Sequence, residues 1–292
     1  MRRWIARISV IVILILALVA GIGYFGLGWW QPSQATISET ATQFGVVSEP
    51  TTLQEAMATA HQALDEIECN VHDYSAVIVK KERIGKGLID RDLTDKDFIT
   101  TVMFAKIREK PFSVYLRFLN RSDNERVKDR EVIYVQGRND DMLLAHTPSL
   151  IGSRFILPLD PKGWLAMQGE HYPITEIGLA NLCRQLIQRG KSAGDPSQVV
   201  VKRYRHARIN TRACTLLEIT YPVHEPKTLG YLARVFLDDE LHFPIRVEVY
   251  ELPKDQGKAP QLVEEYTYLD LKLNNGYSDA DFDPKNSQYK FP

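Results

Sequence analysis

Cysteine is scarce in this chain: Cys69, Cys183 and Cys214 are the three it has among 292 residues. So few exclude a disulfide scaffold, and an odd number leaves at least one thiol unpaired in a monomer. Cys183 shares a helical face with Leu179, Leu182 and Leu186, where a buried free thiol is expected. Cys69 and Cys214 are the pair an oxidising compartment could join. Charge of one sign is lacking too. The 36 basic and 37 acidic residues leave a formal net charge of −1, which gives no electrostatic reason to expect nucleic acid as a partner.

Motifs that carry chemistry are also missing. The chain has no HExxH, paired CxxC, GxSxG or phosphate-cradling glycine loop. Its seven histidines, His61, His72, His146, His171, His206, His224 and His242, are scattered without metal-ligand spacing, so neither a metal nor another cofactor is expected. Asp238, Asp239 and Glu240 lie between two patterned strands and read as turn residues. The run Lys80, Lys81, Glu82, Arg83 reads as a solvated strand edge. No residue is put forward as catalytic, and the chain is expected not to be an enzyme. The enzymatic alternative is an envelope hydrolase using carboxylates, which a buried, paired carboxylate would mark.

Against these absences stands one long apolar run. Arg2, Arg3 and Arg7 precede an uncharged stretch from Ile8 to Trp30, about 23 residues and long enough to cross a bilayer as one helix. Three arginines without acids predict a cytoplasmic N-terminus, with Trp4 and Trp29–Trp30 at the two interfaces. A signal peptide cleaved near Val19-Ala20-Gly21 is the alternative; the run continues through Ile22, Phe25 and Leu27, which favours a retained anchor. The expected organisation is therefore a cytoplasmic N-terminus and transmembrane signal anchor (1–30), a flexible linker (31–50) and an extracytoplasmic α+β domain (51–292). This places the protein in the bacterial inner (cytoplasmic) membrane as a single-pass protein, with its C-terminal domain in the periplasm or otherwise outside the cytoplasm.

Beyond the linker, Thr52 and Glu55 make a capping-box signature, and Leu53, Met57, Ala60, Leu64, Ile67 and Val71 recur at helical spacing. Alternation then predicts strands at 74–83, 99–108, 112–119, 131–136 and 142–146. The stretch 148–169 is irregular. A second helix follows at 176–189, with Thr175 as N-cap and Gly190 ending it. Strands resume at 199–207, 214–221, 231–237, 243–251 and 262–271. The order of helix, meander, helix, meander predicts an α+β fold: one curved antiparallel sheet of nine or ten strands, an incomplete barrel, with both helices on its concave side.

Several of these strands are apolar on both faces, among them 76–79, 102–105, 142–145 and 235–237. Helices or loops covering the second face would account for this. So would an apolar space between sheet and helices that holds a hydrophobic ligand: a lipid, a lipoprotein acyl chain or an apolar peptide. Phe104, Val114, Leu116, Phe118, Leu143 and Phe236 are the residues expected near that space, with strand register deciding the face of each. A protein-interaction or structural module with a filled core, docking an envelope partner, uses the same residues.

The segments Tyr74–Arg83 (YSAVIVKKER), Lys110–Phe118 (KPFSVYLRF), Arg130–Gln136 (REVIYVQ), Leu159–Gly169 (LDPKGWLAMQG) and His171–Leu179 (HYPITEIGL) occur in that order. The tail Glu265–Phe291 follows them. Together they resemble the bacterial envelope family known as domain of unknown function 1571, from about Leu53 to Phe291. The family implies no activity. The run from Phe243 to Tyr250, the strand after it and Phe282 show a looser, fold-level similarity to LolA-like lipoprotein carriers. That similarity implies an incomplete barrel closed by helices around an acyl-binding concavity.

Overall fold

The computed structural model describes residues 42–43, 46–83, 98–122, 129–147, 155–221, 231–251 and 259–292. The expected membrane anchor and most of the expected linker lie outside them. Among the described residues no helix is long and apolar enough to cross a membrane.

Among the described residues thirteen strands form one antiparallel sheet. In chain order they are β1 (Thr42–Gln43), β2 (Val46–Thr51), β3 (Asp73–Arg83), β4 (Phe98–Arg108), β5 (Ser113–Arg121), β6 (Glu131–Val135), β7 (Leu143–His146), β8 (Leu157–Leu159), β9 (Val200–Ile209), β10 (Arg212–Thr220), β11 (Leu232–Asp238), β12 (Pro244–Glu251) and β13 (Gln261–Leu273). Two meanders, β3 to β8 and β9 to β13, are joined where β13 pairs with β3. The sheet is open, with β8 at one edge and β1 and β2 on β9 at the other. All ten strands expected from alternation are present. The three additional ones are short: β1 and β2 fall in the stretch read as linker, and β8 in the stretch read as irregular.

Helix α1 (Leu53–Asn70) starts at the expected capping box. Thr52 Oγ1 accepts the Glu55 N–H at 3.2 Å, and Glu55 Oε2 accepts the Thr52 N–H at 3.0 Å. Helix α2 (Leu179–Lys191) starts three residues later than expected and contains Gly190. Thr175 sits in a single 3₁₀ turn and does not cap the helix. Two sheet tyrosines take that role: Tyr268 Oη accepts the Gly178 N–H at 3.1 Å and Tyr74 Oη accepts the Leu179 N–H at 2.7 Å. These are backbone donors that a helix start cannot satisfy internally. Gly178 has φ +110°, and a Cβ there would lie 2.7 Å from Tyr74 Oη. No other residue type fits this approach.

Both helices pack on one face of the sheet, here the inner face. Leu53, Ala63 and Ile67 of α1 and Leu179, Leu182 and Cys183 of α2 join Ile78, Met103, Leu116, Leu217, Val235 and Val247 in one apolar core. The outer face is handled differently along its width. Over β4 to β6 the C-terminal segment covers it: Phe282, Tyr277, Tyr289 and Phe291 pack on Phe104, Tyr115, Ile133 and Val135, and Asp281 and Asp279 pair with Lys106 and Arg108. Asp73 anchors that segment by accepting the backbone N–H groups of Asn275, Gly276 and Tyr277 at 2.7, 3.1 and 3.0 Å. Glu131 holds its far end, accepting the Lys290 N–H at 2.6 Å. Over β10 to β13 the outer face is a charged lattice, with Arg234 on Glu218 and Arg246 between Glu248 and Glu265.

The three thiols are free, Cys69 exposed and Cys183 and Cys214 buried. Burial pushes the Cys183 and Cys214 thiols up to about 12, so both stay protonated and inert.

An apolar cavity with a charged end as candidate functional site

A cavity of about 750 Å³ lies between the inner face of β13 and β3 to β8 and a connecting segment, residues 160–178, that leads into α2. Its size falls within the range of ~300–1,000 Å³ typical of small-molecule sites. The strand register organises its floor in rows. Tyr268, Ile78, Met103 and Phe118 stand opposite one another across four strands. Beside them run Ala105, Leu116, Val132, Ala145 and Leu157. Leu165, Ile174, Ile177 and Leu182 face this floor from above. Water filling such a space would find few hydrogen-bond partners on these walls.

One side of the cavity is open. Phe155, Leu157 and Leu165 line it and are nevertheless 66%, 50% and 43% exposed, and Trp164 beside them is 79% exposed. Exposed apolar side chains scattered singly are ordinary, but four within eleven residues at the mouth of an apolar cavity form a patch.

The floor changes character at one end. The row after Tyr268–Ile78 reads Tyr266, Lys80, Thr101, Arg121. Arg121 reaches the inner face through a β-bulge. Met103 opposes Phe118 and Val102 opposes Asn120, which leaves Leu119 unmatched and reverses the alternation beyond it. Lys80 Nζ lies 3.0 Å from Glu82 and also contacts Glu170, which Arg121 meets at 3.3 Å. A Cβ on Gly169, where φ is +74°, would collide with the Arg121 guanidinium. Burial lowers the Lys80 pKa, and the attraction of Glu82 only partly offsets this. Lys80 and Glu82 are therefore not a solvated strand edge: β3 is a central strand, and both side chains are buried beneath the segment that carries Glu170.

Next to this row, the connecting segment is latched to the sheet. His171 donates its backbone N–H to Glu82 at 3.2 Å, and its ring nitrogens lie 2.9 Å from Glu264 Oε2 and 3.3 Å from the Arg83 carbonyl. Glu264 also accepts from Tyr172 Oη at 3.0 Å and from Arg189 at 2.5 Å. The hydrogen bond to Glu264 raises the His171 pKa against the effect of burial. Two acceptors for two ring nitrogens suit the imidazolium. Burial pushes Glu264 up, but His171 and Arg189 outweigh it and hold its carboxyl below the usual range.

Glu82 and Glu264 are buried and opposite one another in register, the arrangement named above as the mark of a hydrolase. Here Glu264 is held ionised, and Glu82 already accepts from Lys80, Tyr266 and the His171 amide. The pair forms an ionic latch.

Of the six residues expected near an apolar space, Leu116, Phe118 and Leu143 line the cavity. Val114 is on the same face but packed in the core. Phe104 is on the outer face under the C-terminal segment, and Phe236 is buried beneath the Arg246 guanidinium, 5.9 Å from its ring centre. Sequence reasoning missed the charged end and the latch. Apart from Lys80 and Glu82, which are two residues apart, the partners are separated by 49 to 184 residues, and no local pattern joins them.

The fold and this cavity define a class: an open antiparallel sheet carrying two helices over an apolar, one-sided pocket. A model of the family described as Protein of unknown function (DUF1571) matches residues 71–291, and the chain belongs to that family. This match bears out the resemblance drawn from the segments between Tyr74 and Phe291. No curated protein sequence matches the chain. Solved structures similar to it include the lipoprotein LppX of Mycobacterium tuberculosis (15% identity, 77% of this chain and 98% of that one, TM-score 0.42). Others are a DUF1329 family protein of Desulfovibrio piger (14%, 80% and 97%, 0.35) and a LolA superfamily protein of Nitrosomonas europaea (13%, 80% and 98%, 0.28).

Proposed function

We propose that the domain binds a hydrophobic ligand, a lipid or an acyl chain, in the cavity between sheet and helices, and holds it without chemical change. The observation that carries this reading is the cavity itself, about 750 Å³ of space with an apolar floor and roof, open on one side. Leu116, Phe118 and Leu143 are its principal contact residues, with Met103 and Ile177 completing the walls. A core built only for stability closes to near-crystalline packing density, and this one leaves room. The apolar run of residues 8–30, read as a membrane tether, supports a position on the outer side of a cytoplasmic membrane, where lipids and acylated proteins are at hand.

Native mass spectrometry of the full-length chain, extracted gently from its own cells, tests the reading. The expected result is a population carrying a lipid-sized adduct, which Ala145→Trp removes by filling the cavity while the chain remains folded by circular dichroism. A chain that carries no adduct and takes up none from added lipid would overturn it.

A further inference from the structure

We infer that the ligand carries an acidic headgroup, a carboxylate or a phosphate, seated against Arg130 at the charged end of the cavity with Arg121 beside it. The inference rests on the reading of the cavity as a lipid site and specifies which lipids it takes.

Arg130 precedes β6 and lines the cavity. Its Nε donates to Thr147 Oγ1 at 3.3 Å, and its guanidinium lies over the Phe118 ring at 6.0 Å. Among the described residues it has no carboxylate partner, so its two terminal nitrogens are available to the cavity. The carboxylates nearby are engaged: Glu170 by Lys80 and Arg121, and Glu82 by Lys80, Tyr266 and the backbone of His171. Glu176, which also lines the cavity, is exposed and forms no ion pair with Arg130. Burial and the like charge of Arg121 both lower the pKa of Arg130, so the folded chain holds two cations close together at the edge of an apolar space. Arg121 already has Glu170 as its partner, so Arg130 is the cation whose charge a bound anion would balance. An arginine also matches the planar geometry of a carboxylate or the face of a phosphate with paired N–H donors.

The adjoining geometry sets the order of the ligand's parts. From Arg130 the floor continues through Phe118 and Leu116 toward Leu143, so an anion on Arg130 places an attached chain along the apolar rows. The Phe118 ring marks the junction, with the guanidinium 6.0 Å from its centre and the cavity lined by the same side chain. An amphipathic molecule with charge at one end matches this sequence of surfaces; an uncharged hydrocarbon leaves the guanidinium without a counter-charge.

Equilibrium binding of three probes to the full-length chain in detergent tests the inference: palmitate, 1-palmitoyl lysophosphatidic acid and palmityl alcohol. The expected result is that at least one acid binds roughly tenfold or more tighter than the alcohol, the size of a charge-assisted hydrogen bond. The tighter acid identifies the headgroup as carboxylate or phosphate. Arg130→Gln is expected to bring that acid down to the affinity of the alcohol and leave the alcohol unchanged, with Arg130→Lys in between. Equal affinity of the wild type for acids and alcohol would overturn the headgroup and leave the cavity reading standing; this comparison needs no variant to fold. Failure of all three probes to bind would overturn both.

Discussion

Arg121 faces the cavity because β5 carries one unmatched residue, Leu119, and the alternation reverses beyond it. Strict alternation from Leu116 and Phe118 assigns it to the opposite face, so this part of the site was hidden from the sequence while Leu116, Phe118 and Leu143 were legible. Lys80 and Glu82 were hidden for a different reason: a charge run on a strand looks solvated until the segment that buries it is placed. His171 is the residue whose behaviour is most readily checked. Its pKa is raised in the folded chain, mainly by the hydrogen bond to Glu264. Its contribution to stability is therefore fully present below the ordinary histidine value of 6.5 and is lost as pH rises through the higher folded value. The groups that face it are Glu264 and Glu82, with Arg189 and Tyr172 on the same carboxylate. Thermal unfolding should show the advantage of wild type over His171→Gln at pH 5.5 shrinking by pH 9. An advantage that is independent of pH would show that the imidazolium is not what holds the latch.

At the scale of elements, the ten strands and the start of α1 were legible because alternation and the capping box are local signals. The start of α2 was not: its caps are the hydroxyls of Tyr74 and Tyr268, 105 and 90 residues away in sequence. Strands apolar on both faces had two explanations, and each applies to a different face. The inner face of β3 to β7 lines the cavity, and the outer face of β4 to β6 lies under the C-terminal segment. That cover depends on Asp73, whose buried carboxylate accepts three backbone N–H groups. Asparagine would turn an amide toward donors that need an acceptor. Asp73→Asn is expected to destabilise the domain by about 1.5–3 kcal/mol, the range for losing a hydrogen bond to a charged group. A lower urea midpoint with an unchanged slope is the measurement that checks it. An unchanged midpoint would mean that the segment is held by its aromatic contacts, the stacked Tyr115–Tyr289 pair foremost.

The whole molecule joins two meanders at β13 and β3, which brings the charged ends of those strands together with the segment 160–178 that closes over them. The fold class and the order of strands within each meander followed from the order of elements; the junction of the two meanders did not, since β13 reaches β3 across nearly the full described chain. The account's central claim is that the space under this segment is a ligand site. A crystal structure of the full-length chain, purified from its own cells without added lipid, tests that most directly. The account predicts elongated density running from Arg130 past Phe118 and Leu116 toward Leu143. A cavity closed by the protein's own side chains, with Leu165, Ile174 and Ile177 packed directly on that floor, would contradict it.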